Sequence, residues 1–509
     1  MNKRVFYKNT AVMTGCSLVL RLMGIVFRIF ISNRVGAEGM GLYQLVFSVY
    51  VLGTTFATSG IITAVTRLAA EHLAKGNPGA VIRLMRLCAF CCLLVGGVSA
   101  LLLFGGAPYI GRLLGDSRAV PAIAYSGIAL PFIGISSCLK GYFLAKRQAW
   151  PPCLAQMLEQ AVRIGSILWM LNEFWDGSLA GACLIIVLGD ALSETVACIY
   201  LLCAYRHQRR YTLPQDRQPG APLLRPMLHI ALPLTAGRYL STALRTVENF
   251  LVPARLTRYT RSETASLAQF GAVKGMALPL IFFPSALLMT VSGLLIPELS
   301  DAYALGHRRQ VTRLVELSLQ ITLLGAILVG GLFTVLGKPL GVLLYNDPLA
   351  GTLLQVLGPL TPVMYLDSVV TGMLKGLGQQ VHSLWFSVTD SVVRILLIVV
   401  LLPHYGLAGF LFVMVVSNLL TGSLSTARLL TVSGAGMQWS RWILRPLLAA
   451  GIAGGICLLL PFEGTAYLIL SALLFTGVYV GLMPLLGCFN KEDWKQLISQ
   501  KGQQKAAVD

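Results

Sequence analysis

Residues 131–164, PFIGISSCLKGYFLAKRQAWPPCLAQMLEQAVRI, align without a gap with residues 362–395, PVMYLDSVVTGMLKGLGQQVHSLWFSVTDSVVRI. Pro131 matches Pro362, Gly141 matches Gly372 and Gln148 matches Gln379. Glu159 matches Asp390, and Val162-Arg163-Ile164 matches Val393-Arg394-Ile395. A second correspondence lies upstream, where Arg21 and Arg28 pair with Arg238 and Arg245 at the same spacing of 7 residues. Both copies begin on the same side of the membrane, six helices apart, so they are parallel repeats about an axis along the membrane normal. The duplication predicts an N-terminal six-helix lobe over 1–215 and a second six-helix lobe over 216–430. Residues 431–509 then hold two extra membrane helices and a basic tail.

The composition explains why these repeats belong in lipid. Of 509 residues, 56% are hydrophobic and 12% charged, and the mean hydropathy is +0.73. Apolar runs of about 20 residues, enough to cross a hydrocarbon core of about 30 Å, recur from end to end. They predict an all-α polytopic membrane protein with fourteen spans, the first at 9–33 and the last at 465–487. The first span is too long and too charged for a cleaved leader, so it is expected to remain as a membrane helix.

The net charge of +19 follows membrane topology, and nucleic acid is not an expected partner. With the N-terminus inside, the cytoplasmic segments hold 25 Lys and Arg and the opposite side 7. That asymmetry places both termini in the cytoplasm. The connection at 205–225 reads as a polar linker between the halves. Most of the eleven cysteines sit in apolar spans, where a thiol acts as a small hydrophobe. Cys88-Ala-Phe-Cys91-Cys92 has zinc-like spacing but no hydrophilic ligand pair beside it, and the six histidines are scattered. No metal, cofactor, phosphate loop or nucleophile elbow is expected, and the chain does not read as an enzyme.

Eight basic residues remain inside spans: Arg21, Arg28, Lys140, Arg163, Arg238, Arg245, Lys274 and Arg394. Each costs about 2.5–3.5 kcal/mol at a helix centre unless it faces a cavity or a partner. Glu159–Arg163 and Asp390–Arg394 stand at i,i+4 and suggest an ion pair bracing each lobe, with direct substrate contact the alternative. Arg21 and Arg28 share a face two turns apart, and Arg238 and Arg245 repeat the pattern with Glu248 close by. Together with Lys274 they predict a basic cleft suited to phosphate oxygens. Snorkelling to headgroups is the other reading, most of all for Arg28. Lys274 opens a helix expected to bend at Pro279 and Pro284 and to end at Pro297-Glu298. Asp190, Glu194, Glu248 and Asp367 are candidates for binding a coupling ion, with helix-packing hydrogen bonds the alternative.

The stretch TGCSLVLRLMGIVFRIFISNRVGAEGMGLYQL at 14–45 resembles the polysaccharide-transporter branch of the multidrug/oligosaccharidyl-lipid/polysaccharide exporter superfamily. LTAGRY at 234–239, GMALPLIFFPSALL at 275–288 and LIPELSDAYALG at 295–306 add softer matches across most of the chain. The resemblance implies two lobes around a central cavity that works by alternating access. It also implies export of an undecaprenyl-pyrophosphate-linked precursor of lipid II type for spore cortex peptidoglycan, in the cytoplasmic or outer forespore membrane. A substrate role for Arg21 and Arg28, and cell-wall synthesis enzymes as partners, come with it. Drug exporters of the superfamily rely on membrane acids for cation coupling, and the first helix here carries arginines and no acid. Another lipid-linked polysaccharide, or a membrane scaffold for cortex synthesis, remain alternative expectations.

Overall fold

The computed structural model describes residues 3–58, 60–212, 223–459 and 464–488. The centre of the polar linker, the 215/216 lobe boundary and the tail with its four lysines lie outside the described residues. Regular structure among the described residues is entirely helical. The first half comprises α1 (Lys3–Thr58), α2 (Ile61–Ala74), α3 (Pro78–Leu114), α4 (Val120–Ser126), α5 (Ala129–Ala145), α6 (Trp150–Glu173) and α7 (Leu179–Thr212). The second comprises α8 (Leu224–Thr260), α9 (Glu263–Gly271), α10 (Leu278–Ala304), α11 (Arg308–Tyr345), α12 (Pro348–Leu357), α13 (Thr361–Gly376) and α14 (Gln380–Ser433). α15 (Arg445–Leu458) and α16 (Gly464–Leu485) follow.

Local chemistry sets the helix ends. Asn77 caps α3 by accepting from the Ala80 N–H at 3.0 Å, with Pro78 next in line. Asp347 caps α12 by accepting from Leu349 N at 2.7 Å, and Ser262 caps α9 by accepting from Ala265 N at 3.2 Å. In the loop before α7, Asp176 accepts from the Ser178 N–H and hydroxyl, which holds its carboxyl below the usual range.

α1 has 56 residues, about 84 Å at 1.5 Å per residue, far more than one bilayer crossing needs. Gly36 breaks it at φ +70°, and Gly406 breaks the 54-residue α14 at φ +54°; both need backbone freedom that a Cβ restricts. By length and composition, nine helices among the described residues can cross a membrane, or ten with α4–α5 taken as one bent span. Fourteen spans are expected from the sequence, and the difference has a physical cause. Two of the nine contain a glycine break, and α6 and α8 are excluded because they carry Glu159 and Arg163, and Arg238, Arg245 and Glu248.

The repeat is built into the backbone. α5 ends at Ala145 and α13 at Gly376, positions matched by the sequence alignment. The turns that follow place Arg147 (φ 58°) and Gly378 (φ 75°) in the same left-handed conformation. The Gln148 N–H donates to the Phe143 carbonyl at 2.9 Å, and at the matched positions Gln379 N–H donates to Leu374 at 2.8 Å. The side-chain oxygens of these glutamines then accept from Gln208 (2.7 Å) and from Arg428 (2.8 Å).

α10 runs through Pro297 to Ala304 instead of stopping there. Leu299 and Ala302 are buried beside α13, and the Ser300 hydroxyl donates to the Gly376 carbonyl at 2.8 Å, so packing carries the helix past the proline. Between α9 and α10, Ala272–Ala277 forms a π turn, which lies upstream of the bend expected at Pro279 and Pro284. Tyr345 donates to the Met276 carbonyl at 3.1 Å, and Tyr365 donates to that of Ile281.

The largest core draws on both halves, joining Met40, Leu42 and Leu45 of α1 to Phe270, Met276 and Ile281. α1 also runs along α8. Asn249 donates to the Ser48 hydroxyl at 2.8 Å, Thr246 to the Ser48 carbonyl at 3.3 Å, and Phe56 meets Tyr239 edge-on at 5.8 Å. α15 and α16 pack on α11 through a separate apolar cluster, with the Tyr479 hydroxyl donating to the Leu324 carbonyl at 2.8 Å.

Candidate functional site

Two polar networks occupy matched places in the halves. In the first, Arg163 Nη2 lies 2.9 Å from Glu159 on its own helix, and its Nε lies 2.6 Å from Asp190 on α7. Lys140 Nζ reaches the other Glu159 oxygen at 3.8 Å, and Arg163 Nη1 donates to the Gln160 side-chain oxygen at 3.0 Å. In the second, Arg394 lies 3.2 Å from Asp390 and 3.2 Å from Glu248 on α8. Lys274, on the π turn, lies 3.1 Å from the same Glu248. The Ser417 hydroxyl donates to Asp390 and accepts from Arg394.

The halves therefore neutralise their arginines differently. Arg163 takes a second carboxylate from α7, whereas Arg394 takes one from α8 and shares it with a lysine. Burying such groups is costly unless each charge is paired and hydrogen-bonded, which explains the density of contacts.

A cavity of about 460 Å³ lies beside the first network. Arg28, Tyr43, Phe47 and Tyr50 of α1 form one wall; Gln160, Arg163, Asp190 and Glu194 of α6 and α7 face it. The Gly36 break lets α1 present residues from both its arms to this space. Arg118, 2.8 Å from Glu38 and 2.8 Å from Asp116, ties the segment after the break to the α3–α4 turn.

Arg28 is half-buried in the cavity wall, within electrostatic reach of Tyr43 and Tyr345. It has no ion pair or hydrogen bond among the described residues. Arg21, Arg238 and Arg245 are exposed, likewise without such partners among the described residues, and they do not line this cavity. Lys274, read from the sequence as part of the basic cleft, is instead held by Glu248. Glu248, considered for ion coupling, already holds two cations because the α9–α10 turn and α14 converge on it.

Asp190 is engaged by Arg163. Glu194, one turn further along α7, is buried in the cavity wall with its Oε2 lacking a hydrogen-bond partner among the described residues. Asp367 lies near Ser425 and Arg245. The aromatic residues Tyr43, Phe47 and Tyr50 went unnoticed in the sequence; their i, i+4, i+7 spacing on one helix face was the available signal. Among the described residues no group of three or more His, Cys, Asp or Glu could hold a metal ion.

The family described as "Polysaccharide biosynthesis protein" matches residues 6–302, more than half of the chain. Stage V sporulation protein B of Bacillus subtilis (strain 168) is 26% identical over 443 residues, covering 84% of each chain. The lipid II flippase MurJ of Bacillus subtilis (strain 168) is 21% identical over 426 residues, 77% of this chain and 76% of its own. The solved structure "Lipid II flippase MurJ, inward closed conformation" superposes with a TM-score of 0.73 at 12% identity, over 92% of this chain and 97% of that one. It therefore shares that transporter's fold. From its long apolar helices and the matched residues, the chain is a multi-pass membrane protein that belongs to the polysaccharide biosynthesis protein family.

Proposed function

We propose that this protein is a flippase, not an enzyme, that moves an anionic undecaprenyl-pyrophosphate-linked cell-wall precursor of lipid II type across the cytoplasmic membrane. The observation that carries the reading is Arg28: a cavity-lining guanidinium with no acid partner among the described residues, beside an arginine that two carboxylates neutralise. A guanidinium left unpaired in a cavity is costly and is matched by a phosphate, which its planar fork binds bidentately. A lipid II flippase and a sporulation protein among its relatives support the same cargo class and a role in sporulation, which this reading places in spore cortex synthesis.

In this reading the lobes 1–215 and 216–430 rock about the cavity that Arg28 lines, with the exposed Arg21, Arg238 and Arg245 outside that cavity and residues 431–509 outside the repeat. Both termini are cytoplasmic, and cell-wall synthesis enzymes receive the product. An inside-negative potential assists outward movement of negative charge by about 2.3 kcal/mol per charge per 100 mV.

The test is complementation of a deletion strain with Arg21→Ala, Arg28→Ala, Arg238→Ala and Arg245→Ala, each checked for membrane expression. The readouts are cortex peptidoglycan and the level of lipid-linked precursor. Loss of cortex with precursor accumulation in Arg28→Ala is the expected result. Full function of all four variants would overturn the arginine-cavity mechanism in favour of a scaffold.

A further inference from the structure

The cavity wall opposite Gln160 and Glu194 is an aromatic ladder. Tyr43 and Phe47 stand 5.7 Å apart between ring centroids, tilted by 33°, and Phe47 and Tyr50 stand 6.1 Å apart, tilted by 44°. Neighbouring Leu42, Leu45 and Val46 are 0–1% exposed, yet the three rings stay half-buried and open to the cavity. The hydroxyls of Tyr43 and Tyr50 have no hydrogen-bond partner among the described residues. Core packing alone does not account for three rings left open to a polar space.

The facing wall says what kind of ligand would satisfy it. Gln160 uses its side-chain oxygen to accept from Arg163, which leaves its NH₂ group as a donor. Glu194 is 9% exposed and its Oε2 is unpartnered. An apolar chain in this space would leave that buried oxygen without a donor. A phosphate is disfavoured beside Glu194 because Glu159, Asp190 and Glu194 set three carboxylates against Arg163 and Lys140. A sugar ring fits both walls: its C–H face lies on aromatic rings, and its hydroxyl or amide N–H groups donate to a carboxylate.

We propose that Tyr43, Phe47, Tyr50, Gln160 and Glu194 form a glycan subsite, which holds the sugar of a lipid-linked substrate while Arg28 holds its phosphate. This rests on the reading of the cavity as a headgroup site and adds selectivity for the carbohydrate to it. The cavity volume of about 460 Å³ lies in the usual range of small-molecule sites, about 300–1,000 Å³. The lining thus holds a guanidinium and a carboxylate oxygen, each unpartnered among the described residues, two different partners for the two parts of one headgroup.

The test uses the full chain in lipid nanodiscs and two probes: undecaprenyl pyrophosphate, and undecaprenyl pyrophosphate carrying a disaccharide. Binding is read by native mass spectrometry, with thermal unfolding as a control for folding. The wild type is expected to bind the glycosylated probe at least about tenfold more tightly. Tyr50→Ala and Glu194→Leu are expected to abolish that preference, with binding of the bare pyrophosphate lipid retained. Tyr50→Phe, which keeps the ring, is expected to preserve most of it. Equal affinity of the wild type for both probes would overturn the glycan subsite, whether or not any variant folds. So would an undiminished preference in folded Tyr50→Ala and Glu194→Leu. Failure of the wild type to bind either probe would instead overturn the headgroup reading of the cavity, and the subsite with it.

Discussion

Gly41 and Gly271 meet backbone to backbone where α1 packs on α9. A Cβ on Gly271 would lie 1.9 Å from the Ala37 carbonyl oxygen, and one on Gly41 would lie 2.1 Å from that of Leu267. Both obstacles are backbone atoms, so no rotamer change relieves the overlap. Gly271→Ala is therefore expected to push the helices apart and lower stability by about 1–3 kcal/mol, the usual cost of overpacking. Thermal unfolding of the purified protein, beside Gly97→Ala as a control with open space at its Cβ, checks this.

Arg28 is expected to be the most sensitive of the basic residues in the membrane. Arg28→Ala should slow appearance of the lipid-linked precursor outside by at least about tenfold, or about 1.4 kcal/mol. Arg28→Lys should recover part of that loss, since it restores charge without the bidentate fork. Time courses of precursor exposure in membrane vesicles give both numbers.

Glu248 is the shared partner of Lys274 and Arg394, so Glu248→Gln leaves buried positive charge uncompensated. The expected loss is about 3–5 kcal/mol. Removing the surplus cation as well, in Glu248→Gln with Lys274→Met, should restore part of the stability. Glu159→Gln should cost less, because the Glu159 side chain is 14% exposed against 3% for Glu248, and its lysine lies at 3.8 Å against 3.1 Å. Melting temperatures of the four proteins in one detergent would show the order.

Asp176 provides a pH response outside the membrane. Its folded pKa is lowered by the Ser178 bonds, so its contribution is present above the unfolded value, about 3.9, and fades as pH falls through the folded one. Hydrogen exchange at the start of α7 should rise in that acid window. In Asp176→Ala the same segment should already exchange faster at neutral pH.

Much of this protein was legible in one dimension. The length of the apolar runs sets a membrane protein, because each must span lipid with its backbone bonds satisfied internally. The gapless repeat predicts equivalent halves, and the turns after α5 and α13 carry the same left-handed residue and the same backbone bonds. The i,i+4 spacing of Glu159 with Arg163, and of Asp390 with Arg394, follows from helical geometry alone.

The partners across helices were decided only in three dimensions. Arg163 and Arg394 occupy matched positions, yet one finds Asp190 and the other finds Glu248. Lys274 reaches Glu248 through a π turn that no periodicity announces, and Arg28 lines the cavity while Arg21, two turns earlier on the same face, does not. Spacing fixes what shares a face within one helix. Which face turns toward a cavity, a carboxylate or lipid depends on the rotation and tilt of each helix against its neighbours, and those are set by the packing of the whole chain.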